Sequence, residues 1–132
     1  MKKILTALLV LLSVNATVFA ANWVKVKEEN AGTYYVDTTS YKCGCPSVKV
    51  ITFRLKQVPT YSDASMIIYK HQIDFNRGVV YSHATRYSQS GAIIKEMNMP
   101  DTPMGVVASN KDTGFYAAAK KAYTSCYDYC KK

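Results

Sequence analysis

A chain of 132 residues with 17 basic and nine acidic side chains is a small and moderately basic protein. This length suits one domain with one continuous core, and nothing in the composition suggests a second. The net charge of +8 is scattered, because no run of lysine or arginine exceeds two residues, and it predicts a solvated surface and no nucleic-acid partner.

Residues 1–20 have the organisation of a secretory signal peptide. A basic start is followed by the apolar run Ile4–Val14. Val18 and Ala20 then place a β-branched and a small residue at the two positions that signal peptidase recognises. The run is shorter than the roughly 20 residues of a spanning helix, which disfavours a retained membrane anchor. We expect cleavage after Ala20 and, because no cysteine lies nearby, no lipid attachment. The mature domain, residues 21–132, is therefore expected to be periplasmic or secreted, without stable membrane insertion.

The next segments alternate apolar and polar residues with the period of β-strands. Asn22–Glu28 and Thr33–Val36 flank the turn residues Glu29–Gly32, which predicts a hairpin. A longer strand is expected over Ser47–Val58. Its apolar residues change face along the way, so we expect a bulge near Val50.

Three further strands and a long loop are predicted next. The strands cover Met66–Phe75, Val79–Ser88 and Ala92–Met97, and glycine-containing turns separate them. The segment Asn98–Thr113 then loses periodicity and gathers prolines and glycine. It is expected to be an irregular loop, of a length that is often functional.

The final segment is rich in alanine and lysine and favours a helix that begins at Asp112 or Thr113 as N-cap. One buried stripe is predicted along this helix, formed by Phe115, Ala118, Ala119, Ala122, Tyr123 and Cys126. The expected fold class is α+β, an antiparallel meander of about six strands with a C-terminal α-helix packed on one face.

Four cysteines in an exported chain predict disulfides. Cys43 and Cys45 point the same way on extended chain, while Cys126 and Cys130 share a helix face. Two bridges between these pairs are expected, either 43 with 126 and 45 with 130 or the crossed pairing. The third possibility, 43 with 45 and 126 with 130, is disfavoured because it needs a strained ring at Cys43-Gly44-Cys45. The alternative use of the four thiols is a tetrahedral zinc site, which an oxidising compartment disfavours.

The histidines offer little chemistry. His71 and His83 each lie in a predicted strand with no nucleophile motif nearby, so we predict no catalytic residue and no cofactor. Either could contribute to a metal site, His71 with Asp74 or with His83 across a hairpin, but two ligands do not define one. No metal ligand is therefore assigned.

Aromatic residues are abundant, with 11 tyrosines and four phenylalanines. Tyrosine is favoured both on strands and at recognition surfaces. Only one stripe of the helix can be buried, so some of its tyrosines must be exposed. A contact patch with Lys120 and Lys121 is one expectation for this group, which comprises Tyr116, Tyr123, Tyr127 and Tyr129.

The order of signals suggests a family. Its most specific part is a tryptophan strand, Asn22–Val26, followed by the Tyr-Tyr-x-Asp hairpin strand Gly32–Asp37. Further along come Gln72–Asp74, Arg86–Ser88, a turn with Gly91, a proline-containing loop and an alanine-rich helix ending near Cys126. This order resembles the surface-adhesin protein E-like domains of bacterial envelopes.

The resemblance implies a six-stranded antiparallel sheet with its C-terminal helix held by a disulfide through Cys126. For some members it implies adhesion to host extracellular-matrix or plasma proteins. In that family a cysteine follows the acidic residue of the middle strand, where this chain has Phe75, so the mate of Cys126 must be Cys43 or Cys45.

The expected function is a non-enzymatic, exported binding module of the bacterial envelope with a protein partner. It would contact that partner through the sheet face left open by the helix, or through Asn98–Thr113. The alternative is a small periplasmic inhibitor or assembly factor that binds one envelope protein. A metal-binding protein is the third hypothesis.

Overall fold

The computed structural model describes residues 21–131, so the predicted signal peptide lies outside the described residues. This part of the chain forms β1 (Trp23–Glu29), β2 (Gly32–Asp37), β3 (Val50–Pro59), β4 (Met66–Asp74), β5 (Val79–Tyr87), β6 (Ile93–Asn98), β7 (Thr102–Pro103), α1 (Met104–Ala108) and α2 (Gly114–Cys130). The first six strands pair in sequence order, and β7 pairs with β5. The predicted fold class, an antiparallel meander with a C-terminal helix on it, is confirmed.

The alternation of β3 divides the sheet into two faces. Ile51, Phe53 and Leu55 are buried under α2, while the residues between them point to the opposite face. Phe53 pairs with His71 of β4, and the antiparallel register carries this division across the neighbouring strands. The core therefore lies between the sheet and α2.

Helix α2 begins at the predicted N-cap, where the hydroxyl of Thr113 accepts a hydrogen bond from the N–H of Tyr116 at 3.1 Å. Its buried residues recur every four positions: Gly114, Ala118, Ala122 and Cys126. These small side chains let the helix axis come close to the sheet. The predicted stripe was too wide, because Tyr123 projects beside this narrow contact and is 41% exposed.

The predicted bulge near Val50 is wrong. The pairing of β3 with β4 is continuous from Val50 to Gln57. The irregular steps are in β1, between Lys25 and Lys27, and in β5, between Arg86 and Tyr87. The apolar pattern changes face because Val48 lies in a turn before β3, where its φ of 49° directs the chain through the left-handed region. Val48 is still buried in the core.

The segment Asn98–Thr113 is not the irregular loop that was predicted. It contains β7 and the short helix α1, and the N–H of Met104 donates to the carbonyl of Gly78 at 2.9 Å. A strand of two residues and a helix of five residues are too short to produce a period in the sequence.

Within residues 21–131 no helix is long and apolar enough to cross a membrane.

Both disulfides are confirmed, and their pairing is Cys43–Cys126 and Cys45–Cys130. The Cα atoms are 5.1 Å and 5.2 Å apart, in the usual range for a bridge. The crossed pairing and the pairing within each pair are therefore wrong. The four-thiolate zinc site is also wrong, because no cysteine is free. The bridges join the segment between β2 and β3 to the end of α2.

Candidate functional site

The sheet face opposite α2, which we call the open face, carries a cluster of stacked aromatic and basic side chains. The aromatic–basic cluster consists of Trp23, Tyr35, Arg54 and Lys56. The Arg54 Cζ atom lies 5.3 Å from the centre of the Trp23 ring. The Lys56 ammonium is 4.8 Å from the Trp23 ring centre and 4.9 Å from that of Tyr35. These are cation–π distances, so each cation is held against a ring.

Strand register explains why these distant residues meet. Tyr35 of β2 pairs directly with Lys56 of β3 and with Lys25 of β1. Arg54, two residues before Lys56, points to the same face and pairs with Lys70 of β4. Four cations, Lys25, Arg54, Lys56 and Lys70, therefore lie close together on β1, β3 and β4. The exposed acidic side chain that pairs with one of them is Glu28, 2.9 Å from Lys25.

A buried carboxylate, that of Asp37, contacts one cation of the cluster. Asp37 accepts hydrogen bonds from the N–H of Asn22 at 3.1 Å and from the hydroxyl of Thr39 at 2.6 Å, and its Oδ2 is 3.5 Å from Arg54 Nη1. Burial acts to raise the pKa of Asp37, but the bonds from Thr39 and Asn22 with the charge of Arg54 outweigh it and lower the pKa. The ionised carboxylate orients Arg54 and fixes the start of β1.

Lys56 is partly removed from water by its neighbours, and this burial lowers its pKa below the ordinary lysine value. A partly dehydrated ammonium gains more from a bound anion than a fully hydrated one does, because it has less solvation to lose. The cluster is thus suited to carboxylate or other anionic groups.

A shallow polar depression of about 370 Å³ continues the open face toward β6. It is lined by Thr52, Lys70, Gln72, Tyr81 and His83, among others. The His83 Nδ1 atom lies 2.9 Å from Oδ1 of Asn98 across the β5–β6 pair. The open face can therefore offer hydrogen-bonding groups beside the cations.

The two histidines do not form a metal or catalytic site together. His71 points under α2, where its Nδ1 is 2.6 Å from the Ser82 hydroxyl and its ring meets the edge of Phe115, with centroids 4.6 Å apart. Burial lowers the pKa of His71 to about 3, so this imidazole is neutral. His83 projects from the opposite face, because its pairing partner is Lys70 and not His71.

Asp74 also turns away from His71. Its Oδ1 accepts hydrogen bonds from the backbone N–H groups of Asn76 and Arg77 at 3.0 Å and 3.1 Å in the β4–β5 turn. Neither of the two suggested metal pairs is brought together. Among residues 21–131 no cluster of three or more histidine, cysteine, aspartate or glutamate side chains could hold a metal ion.

The structure divides the predicted tyrosine patch of the helix. Tyr123 and Tyr127 stack with ring centres 6.2 Å apart, and the cation over Tyr127 is Lys131, at 4.2 Å. Tyr129 is 67% exposed. Tyr116 is half-buried and, with Lys120, lines an apolar cavity.

The sequence interpretation missed the aromatic–basic cluster, although one signal was present. Trp23 stands on the lysine side of β1, opposite Val24 and Val26, so it points away from the core. Arg54 and Lys56 likewise occupy the polar face of β3. Only the strand register shows that these faces coincide. No protein-family model, curated protein or solved structure matches the chain, so the resemblance to surface-adhesin protein E-like domains stays a prediction.

Proposed function

We propose that the protein is a non-enzymatic, exported binding module of the bacterial envelope that contacts an acidic surface of a protein partner through the open face. The aromatic–basic cluster carries this proposal. Arginine, tryptophan and tyrosine dominate the energetics of protein interfaces, because they combine large contact area with directional polar groups. Here Trp23, Tyr35 and Arg54 occupy one patch.

Preorganisation supports a binding role. The rings of Trp23 and Tyr35 hold the Lys56 side chain, and Asp37 restrains Arg54. Side chains already held in place lose less conformational entropy when a partner binds. A solvated surface of free lysines would lack these restraints.

Export is supported by the two disulfides, which persist in oxidising compartments and are rare in the cytosol. The proposal places the protein in the periplasm or outside the cell, after cleavage behind Ala20. A signal peptide at residues 1–20 would account for delivery to that compartment.

The partner can be identified by cross-linking in an envelope extract, with matched charge variants. Lys56→Gln with Lys70→Gln removes two cations from the open face. Lys111→Gln with Lys121→Gln removes two exposed lysines elsewhere and serves as the control. We expect the open-face variant to lose a saturable partner that the control retains, and about 0.5 M salt to weaken that complex.

Trp23, the sole tryptophan, provides an independent reading, because its fluorescence should change when the isolated partner occupies the open face. A partner retained equally by both double variants, with unchanged Trp23 emission, would contradict the proposal.

Strand β6 favours a second candidate function, an inhibitor or assembly factor that adds a strand of its target. It lies at one end of the strand order, and all its residues are exposed, including Ile93 and Ile94 at 56% and 46%. An exposed apolar edge is a template for strand addition. Loss of the partner in Ile93→Glu with Ile94→Glu, and its retention in the Lys56→Gln and Lys70→Gln double variant, would favour this function.

A further inference from the structure

An apolar cavity of about 240 Å³ lies on the helix side of the sheet, between α1 and the first half of α2. Its floor is formed by β4 and β5, and its walls by the two helices. The side chains that define it include Ile73, Val80, Met104, Val107, Phe115 and Ala119. The cavity is on the other side of the sheet from the open face.

The size of the cavity suits an alkyl chain. Protein interiors contain few voids larger than a water molecule, and an apolar cavity of about 150 Å³ is already large enough to bind benzene. A methylene group occupies about the same space as a water molecule, ~30 Å³ in the liquid, so the cavity holds about eight of them.

The charged side chain at the mouth of the cavity favours a ligand with a negatively charged head group. Among the described residues that line it, the charged side chain is Lys120, which is exposed on α2 and can reach solvent while its stem stays at the rim. The hydroxyl-bearing Tyr116 stands one helical turn before it. A ligand with an apolar tail and an anionic head matches this arrangement.

The α1 wall is lightly held, which gives a chain a way in. None of the five residues of α1 is buried, and its N-cap Pro103 makes no side-chain capping bond. Its attachment on the N-terminal side is the two-residue pairing of β7 with β5 and the hydrogen bond from Met104 to Gly78. Segments with few buried contacts open at low free-energy cost.

We propose that this cavity binds a medium-chain alkyl carboxylate, with the chain between α1 and α2 and the carboxylate at Lys120. The site is independent of the proposed function, because no residue of the aromatic–basic cluster lines it.

Titration of the oxidised protein with decanoate, decanol and decyltrimethylammonium, each below its micellar concentration, tests the proposal. We expect saturable one-to-one binding of decanoate by calorimetry, with methyl NMR shifts at Ile73, Met104 and Val107 and no change in Trp23 fluorescence. Decyltrimethylammonium should bind more weakly. Equal or tighter binding of this cation, or no saturable decanoate binding, would overturn the proposal.

Two lysines on α2 provide a matched pair of variants. Lys120→Gln should weaken decanoate binding about two- to fivefold, as expected for a solvent-exposed ion pair, and leave decanol binding unchanged. Lys121→Gln removes the neighbouring charge, which does not line the cavity, and should change neither. An equal effect of the two variants would contradict a carboxylate site at Lys120.

The proposed position of the alkyl chain is tested by filling the cavity with a large side chain. Ala108 lines the cavity from an exposed position on α1, so Ala108→Trp should place its ring in the cavity with little effect on the fold. We expect decanoate and decanol to lose at least about tenfold in affinity, while circular dichroism and the melting temperature stay close to those of the parent protein. Undiminished binding, or NMR shifts confined to other parts of the protein, would overturn the assignment.

Discussion

Gly114, the first residue of α2, lies directly against the aromatic ring of Tyr34 and leaves no room for a β-carbon. Its N–H also donates a hydrogen bond to Oε1 of Glu29 at 3.0 Å. The start of the helix is thereby attached to the β1–β2 hairpin, 85 residues away in sequence. Close approach, and not a turn conformation, requires glycine at this position.

We expect Gly114→Ala to lower the free energy of unfolding by about 1–3 kcal/mol, because the added methyl group must displace the ring of Tyr34. Gly105→Ala is the control, since nothing lies within 4 Å of a β-carbon there and alanine is the better helix former. Urea denaturation of both variants measures the difference. A Gly114→Ala protein as stable as the control would show that the hairpin accommodates the methyl group.

His71 should make the protein less stable in mild acid. Its pKa is about 3 in the folded state, lowered by burial, and about 6.5 when the chain is unfolded. Between these pH values the unfolded state binds one more proton than the folded state does. The free energy of unfolding is therefore unaffected by the titration of His71 above pH 6.5 and decreases as the pH falls below it. We expect a loss of about 2 kcal/mol from pH 7.5 to pH 5, on the order of 1.4 kcal/mol per pH unit below 6.5.

The measurement is urea denaturation at both pH values for the parent, His71→Gln and His83→Gln. The first variant should lose most of the pH dependence, because glutamine takes no proton. The second should keep it, because His83 is exposed on the opposite face. The NMR signals of the His71 ring should show no titration down to about pH 4, and a midpoint near 6.5 would refute the buried neutral imidazole.

The strands of the fold could be predicted because their signals are local. Apolar and polar residues alternate along β3, and the turns at Gly78 and Gly91 are marked by glycine, so both features can be seen in short windows of sequence. The N-cap Thr113 likewise directly precedes an alanine-rich helix. Helix α1 was missed, because five residues show no helical period. Tyr123 was misplaced, because spacing alone does not show that the fully buried side of α2 is a narrow line of small residues.

The candidate site was harder to predict for a different reason. Trp23, Arg54 and Lys56 come together through the registers of β1 with β2 and of β2 with β3, and β1 contains an irregular step that shifts its pairing by one residue. A shift of one residue moves a side chain to the other face of a sheet. The charge pattern of single strands therefore could not locate the cluster.

Asp37 should be essential for the order of the β1 start. Replacing it by alanine leaves the N–H groups of Asn22 and Thr39 and the guanidinium of Arg54 without their acceptor. We expect Asp37→Ala to reduce the free energy of unfolding by about 2–4 kcal/mol, since hydrogen bonds to charged groups are worth about 1.5–3 kcal/mol each and solvent replaces some of them. Amide exchange at Asn22 should accelerate, whereas Asp128→Ala, an exposed helix position, should leave both quantities unchanged.

The pH window of Asp37 differs from that of His71. Its pKa is lowered in the folded state, so its contribution is present above the unfolded value of about 3.9 and is lost as the pH falls through the folded pKa. Suppose that the protein loses stability between pH 6.5 and pH 4.5. If this loss disappeared in Asp37→Ala but persisted in His71→Gln, the assignment would be contradicted.

Either disulfide alone should provide most of the stabilisation that the two provide together, and loss of both should strongly destabilise the folded state. The bridges close loops of almost the same length, with sequence separations of 83 and 85 residues. In the chain-entropy model the first bridge stabilises the fold by about 4.5 kcal/mol, while the second adds much less because it closes only a short extra loop. Cys126→Ala or Cys130→Ala alone should therefore leave a folded protein.

Paired replacements make the clean comparison, because they leave no unpaired thiol. We expect Cys43→Ala with Cys126→Ala, and Cys45→Ala with Cys130→Ala, to lower the melting temperature modestly, whereas replacing all four cysteines should lower it far more than the sum of the two effects. The buried Cys126 belongs to the stripe of α2 that touches the core, so its pair should be the more costly of the two. Additive losses from the two pairs would show that each bridge acts through local strain or packing, and not through a shared constraint on the unfolded chain.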